Sequence, residues 1–258
     1  MASKYYVIWQ GRETGIFNDW AACKKHIDKF AGARYKSFKT LAEAEAAYGS
    51  GPSKTVPGNS KNSATTGPKK TGKTIKTYTA REIDKLAVDT KIFTDGGCEP
   101  NPGEAGSGVA VYRKGLLDEL WYGLYNPRGT NNTAELNALF EALKMAKKEV
   151  ESNRTVAIFC DSKYSIQCIT QWAASWQKKG WKKSGGEIKN LELIKKMFSL
   201  YETLKSRIKV LHVNGHVGVE GNELADRMSI IAVESKEPNF ARYTETMDID
   251  RILSLRTG

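Results

Sequence analysis

Four acidic side chains stand where carboxylates can do chemistry together. Asp95 ends the apolar run Ile92-Phe93-Thr94, which reads as a buried strand, and the Gly96-Gly97 pair after it reads as a tight turn. Glu135 lies in the first turn of a helix whose Leu136, Leu139, Phe140 and Leu143 recur at the spacing of a buried stripe. It sits at the edge of that stripe and can face a sheet. Asp161 directly follows Val156-Ala157-Ile158-Phe159-Cys160, a second buried strand, and can also cap the helix that comes next. Asp226 falls early in a helix with Leu224 and Met228 on its core side. Taken singly, each acid is readily explained as a cap or a solvated charge. Taken together, strand-end carboxylates of a sheet with parallel strands meet at one edge. There they repel one another and call for protons or cations. Oxygen ligands select hard ions such as Mg²⁺ or Mn²⁺. Two such ions about 4 Å apart activate water and stabilise the leaving oxygen of a phosphodiester.

The elements that must position these acids follow an α/β pattern from about residue 80. Strands are predicted over 90–95, 107–113, 118–125, 155–160 and 207–213, and helices over 132–150, 162–174, 188–205 and 221–234. Short turns join the first three strands into an antiparallel meander. The alternation that follows adds parallel strands to the same sheet. Ahead of this, residues 1–48 read β-β-α-β-α, with Asp19 as a helix cap and Thr40 with Glu43 as a capping box. Residues 49–79 are rich in Lys, Gly, Ser and Thr and read as a flexible linker, either a plain tether or a loose attraction for phosphate. The catalytic unit is expected over 80–234. The tail 235–258 is polar and weakly patterned, and no role is assigned to it.

Composition narrows the classes. The net charge of +11 favours a polyanionic partner. An apolar fraction of 40% over 258 residues supports a real core. Cys23, Cys98, Cys160 and Cys168 are scattered with no CxxC pair, which argues against a disulfide framework or zinc site and fits a reducing compartment. No run approaches the length of a membrane span and no leader pattern opens the chain, so a cytoplasmic protein without membrane contact is expected.

Five separated motifs then coincide. Thr94-Asp95-Gly96-Gly97-Cys98 with Asn101-Pro102-Gly103, Thr130 through Glu135, Asp161-Ser162-Lys163-Tyr164, Gly215-His216, and Gly221 through Asp226 resemble type 1 ribonuclease H over about residues 88–234. The resemblance implies a five-stranded mixed sheet flanked by helices. It implies hydrolysis of the RNA strand of an RNA–DNA hybrid with two Mg²⁺ ions, Mn²⁺ being a substitute, to leave 5′-phosphate and 3′-hydroxyl ends. Asp95, Glu135, Asp161 and Asp226 match the family's metal-binding catalytic acids, and His216 its mobile histidine, whose ordinary pKa suits proton transfer.

The same resemblance extends to substrate contacts. Arg128, Thr130 and Asn190 match a pocket for a DNA phosphate. Asn101, Asn131 and Asn132 match contacts to the RNA minor groove, where amides read 2′-hydroxyls; on their own, Asn131 and Asn132 read as helix caps. Trp172, Trp176 and Trp181, interleaved with Lys178, Lys179, Lys182 and Lys183, resemble the basic protrusion of stand-alone cellular enzymes, with lysines on phosphates and aromatic faces on sugars. The first 48 residues resemble the family's N-terminal hybrid-binding domain. Tyr6, Trp20, Tyr35 and Lys36 are its expected contacts, although Trp20 and Tyr35 also suit a small core. A monomer is expected, with the N-terminal module as the place where two chains would meet. The competing readings are a non-catalytic hybrid-binding protein and a transposase- or integrase-like nuclease acting on DNA alone.

Overall fold

The computed structural model describes residues 5–28, 30, 33–38, 40–49, 75–215 and 218–256. Most of the predicted linker, residues 50–74, and His216 lie outside the described residues. The chain divides into two compact units, Met1–Lys69 and Lys70–Gly258.

In the first unit β1 (Tyr5–Gln10), β2 (Gly15–Phe17), α1 (Trp20–Ile27), β3 (Arg34–Phe38) and α2 (Leu41–Gly49) follow in the expected order. The sheet is antiparallel with order β2-β1-β3. Asp19 starts α1 by accepting from the Ala22 N–H at 2.8 Å. Thr40 and Glu43 exchange the two bonds of a capping box. Ile8, Cys23 and Ile27 form the small core beneath α1.

The second unit contains β4 (Thr77–Tyr78), α3 (Ala80–Asp84), β5 (Thr90–Cys98), β6 (Gly103–Arg113), β7 (Leu116–Gly129), α4 (Asn131–Glu151) and β8 (Val156–Cys160). Next come α5 (Lys163–Gln167), a π-helical turn (Cys168–Trp172), α6 (Ala173–Lys178), α7 (Leu191–Leu204), β9 (Ile208–Val213), α8 (Glu220–Ser235), β10 (Phe240–Arg242) and α9 (Ile249–Leu253). The sheet order is β10-β7-β6-β5-β8-β9-β4. As expected, β5, β6 and β7 form an antiparallel meander, and β8 and β9 add in parallel. The five expected strands become seven. Thr77–Tyr78 pairs with β9 and Phe240–Arg242 with β7, from stretches too short and polar to read as strands alone. The tail therefore has a structural role that its weak pattern hid.

Alternation along the strands divides the core into two layers. Ile92, Val109 and Ile158 face α4 and α7, whereas Phe93, Ala110 and Phe159 face α8 and α9. Both faces of the sheet are thus covered, and the helices carrying Glu135 and Asp226 lie on opposite sides of the strand carrying Asp95. Among the described residues no helix is long and apolar enough to cross a membrane.

Candidate active site

The four acids converge because two helices come unusually close to β5 and β6. Gly96 and Gly97 do not turn the chain. β5 runs through both to Cys98, with Gly96 opposite Ser107 and Gly97 opposite Gly106. Their function is clearance. A Cβ on Gly96 would lie 2.2 Å from the Glu135 nitrogen, so only glycine lets the start of α4 rest on the strand. Gly108 does the same for α8, where a Cβ would lie 2.0 Å from the Ala225 carbonyl oxygen. Thr130 caps α4 by accepting from the Thr133 N–H at 3.2 Å, and Ser107 donates to the Ala134 carbonyl at 2.8 Å, fixing that helix end against β6.

Asp95, Glu135 and Asp226 are buried, Asp161 is half-buried, and all four line one cleft together with Asn101 and Asn131. Asp95 Oδ1 accepts from the Gly96 N–H at 2.7 Å. Burial holds the Asp95 carboxyl well above the ordinary carboxylate range, and the charges of Asp161 and Asp226 push it further. Glu135 is raised in the same way, by burial and then by Asp95 and Asp161. Its Oε2 is buried with no hydrogen-bond partner among the described residues. Glu135, Asp161 and the Cys160 thiol each bring one ligand atom within 4.8 Å of the others. Burial, then Glu135 and Asp161, push the Cys160 thiol up, so it stays protonated beside the acids.

Three further residues hold the acids, and the motif reading did not single them out. Buried Asn222 donates from Nδ2 to Asp161 Oδ2 at 3.3 Å. It stands one turn before Asp226 on the same helix face, a spacing that marks it in retrospect. His212 Nε2 lies 3.0 Å from the Asp161 carbonyl, and its Nδ1 lies 2.8 Å from Thr77 Oγ1. Burial lowers the His212 pKa, which favours the neutral ring. A carbonyl only accepts, so the proton sits on Nε2, and Nδ1 accepts from Thr77. Arg227 forms a buried ion pair with Asp226.

The expected substrate contacts fall into three groups. Near the cleft, the Asn131 N–H donates to Asn101 Oδ1 at 3.2 Å, while Asn131 and Asn132 occupy the exposed first turn of α4. Thr130, not these asparagines, is the helix cap. Thr130 and Asn190 come together through Thr133, whose Oγ1 lies 2.8 Å from the Thr130 hydroxyl and donates to Asn190 Oδ1 at 3.1 Å. Arg128 is exposed two residues before the cap.

In the protrusion the indoles and the lysines separate. Trp172, Trp176 and Trp181 are half-buried against the core, with Trp172 and Trp176 at 5.7 Å and Trp181 edge-on to Phe198 at 6.3 Å. Lys178, Lys179, Lys182 and Lys183 are exposed. Each indole packs part of its surface on the core and keeps part of it accessible, so the three tryptophans also anchor the element that presents the lysines.

In the first unit, Trp20 lies 5.2 Å from Tyr6 and 6.0 Å from Tyr35. Trp20 is 42% exposed and Tyr35 47%, so this cluster is a surface and not a core. Lys36, also exposed, pairs with Val7 in register whereas Tyr35 pairs with Ile8, so the two start on opposite faces of the sheet.

Comparison with known proteins agrees with this architecture. The family described as RNase H matches residues 87–234, and that described as Ribonuclease H1 N-terminal domain matches residues 4–48. The chain is 32% identical over 257 residues to Ribonuclease H1 of Mus musculus, covering 87% of each protein. It is 41% identical over 145 residues to Ribonuclease H of Acidovorax sp. (strain JS42), covering 55% of this chain and 93% of that one. Among solved structures, LC9-RNase H1, described as a type 1 RNase H with the type 2 active-site motif, shares the fold. It has a TM-score of 0.51 and 21% identity over 64% of this chain and 81% of that one. The chain belongs to the ribonuclease H family, as a type 1 enzyme acting on RNA–DNA hybrids and preceded by a ribonuclease H1 N-terminal domain.

Proposed function

We propose that Asp95, Glu135, Asp161 and Asp226 hold two divalent cations, Mg²⁺ with Mn²⁺ as a substitute, and that the enzyme leaves 5′-phosphate and 3′-hydroxyl ends. One observation carries this reading above the others. Glu135 keeps a buried oxygen with no partner among the described residues, within a group of carboxylates that drive one another toward protonation. A cation in the cleft satisfies that oxygen and relieves the repulsion, and an all-carboxylate donor set suits hard ions. When bound, the cations supply activation of water and stabilisation of the leaving oxygen.

The remaining work falls to the chain's own groups. Asn101, Asn131 and Asn132 read 2′-hydroxyls of the RNA strand at the cleft. Thr130 and Asn190, with Arg128 nearby, hold a phosphate of the DNA strand. Lys178, Lys179, Lys182 and Lys183 neutralise further phosphates. His216 carries the proton that leaves with product. In the first unit Trp20, Tyr35 and Tyr6 pack on sugars while Lys36 reaches phosphate from the edge strand β3. This unit raises affinity for long hybrids and leaves the cleavage step unchanged.

A substrate panel tests the reading. The RNA strand of a hybrid should be cut in Mg²⁺ or Mn²⁺, with ends ready for ligation after the 3′-hydroxyl, while duplex DNA and duplex RNA stay intact. Cutting of duplex DNA would favour the transposase-like nuclease, and tight hybrid binding without cutting would favour the binding protein.

A further inference from the structure

We propose that Arg227 is a positioning residue for Asp226, and that the carboxyl-terminal segment 237–256 is the strap that sets it. Arg227 is 5% exposed, and its guanidinium is divided among three acceptors. Nη1 donates to Asp226 Oδ2, Nε to the Leu255 carbonyl at 3.0 Å, and Nη2 to the Leu253 carbonyl at 3.1 Å. The guanidinium is a rigid planar fork, so fixing two arms on the backbone fixes the direction of the third. Both carbonyls belong to the end of α9 and the residues just after it. That stretch lies outside the residues matched to the RNase H family, 87–234.

The segment is built in and not merely trailing. β10 pairs with β7 through Phe240, Ala241 and Arg242. Ile252 is buried in the core layer that also contains Leu224, Ala225 and Met228 of α8. Asp248 caps α9 by accepting from the Arg251 N–H at 3.0 Å. A second tie, Arg256 to Glu99 at 2.6 Å, reaches across the cleft, but those side chains are 68% and 74% exposed and the pair contributes little. The buried tie through Arg227 is the one able to transmit position.

The bland alternative is that Arg227 only anchors the tail. That role predicts lost stability with chemistry intact. A positioning role predicts that cation affinity and turnover fall while hybrid affinity stays.

The inference rests on Asp226 as a cation ligand. Its test is calorimetric titration of the full-length chain with Mn²⁺, beside steady-state cleavage of a hybrid, for Arg227→Gln, Arg227→Lys, Ile252→Ala and Asp226→Asn. Arg227→Gln should weaken Mn²⁺ binding and lower kcat by roughly 10–100-fold with KM for hybrid unchanged, the scale for groups that orient metal ligands. Arg227→Lys should fall between, since one ammonium cannot reproduce the fork. Ile252→Ala leaves Arg227 and Asp226 intact and loosens the strap, so it should move both quantities the same way by a smaller factor. A folded Arg227→Gln with normal kcat and Mn²⁺ affinity overturns the inference. If that variant does not fold, an Ile252→Ala enzyme of lower Tm with unchanged kcat and Mn²⁺ affinity overturns it instead. Asp226→Asn with full activity and Mn²⁺ affinity overturns the cation reading itself; Asp226→Asn inactive beside a normal Arg227→Gln overturns the strap alone.

Discussion

Asp95 and Glu135 are buried beside other carboxylates, and burial first, then the neighbouring charges, favours their protonated forms. The folded chain therefore keeps protons that the unfolded chain releases near pH 4. Stability of the cation-free protein should fall as pH rises from that range through the raised folded values. Asp95→Asn removes one of the crowded charges. In EDTA near neutral pH it should raise Tm, by about 2–4 °C for each kcal/mol of repulsion relieved, and it should flatten the pH dependence while abolishing cleavage. A lower Tm in EDTA would show that the acids are not under mutual repulsion. That the four acids share one cleft was legible in the sequence, because two of them follow apolar runs of strands and two lie early in helices that pack on that sheet. His212, Asn222 and Arg227 were not. His212 and Arg227 take their roles from partners far along the chain, the Asp161 carbonyl and the Leu253 and Leu255 carbonyls, while Asn222 is marked only by standing one turn before Asp226.

The close approach of α4 to β5 decides whether Glu135 meets Asp95. Gly96→Ala inserts a methyl group 2.2 Å from the Glu135 nitrogen, so the helix must move. Overpacking of this kind costs about 1–3 kcal/mol. The larger effect should be on kcat, measured beside urea unfolding. An active Gly96→Ala enzyme would mean the helix position is not limiting. The sequence marked this glycine pair but for a turn, since a strand glycine needed for helix clearance and a turn glycine look alike without the partner helix.

The protrusion makes a separate prediction from its split roles. Lys178→Ala with Lys179→Ala should raise KM for hybrid and leave kcat unchanged. The salt slope of binding should also become shallower, by up to about 0.9 for each phosphate that is no longer neutralised. Trp176→Ala should instead lower stability in urea unfolding, because that indole packs on the core. If Trp176→Ala left stability intact and only weakened binding, the indole would touch the hybrid and would not be an anchor.

Across the whole molecule, the alternating strands and helices made the α/β class and the meander readable. The two edge strands escaped because they are two and three residues long and are stabilised by the sheet they join. For the first unit, Trp20→Ala and Tyr35→Ala should weaken binding to long hybrids, on the scale of about 1–3 kcal/mol for removal of an aromatic platform. Turnover on short saturating hybrids should not change. A large loss of kcat there would place this unit in the cleavage step.

The most direct test of the central claim is single-turnover cleavage of a labelled RNA strand within an RNA–DNA hybrid, with Mg²⁺ or with EDTA, by the full chain and by Glu135→Gln. Cation-dependent cutting by the full chain, lost in EDTA and in Glu135→Gln although that variant still binds the hybrid, is the predicted result. Cutting that survives in EDTA or in Glu135→Gln would contradict the assignment of the four acids to cation-assisted hydrolysis.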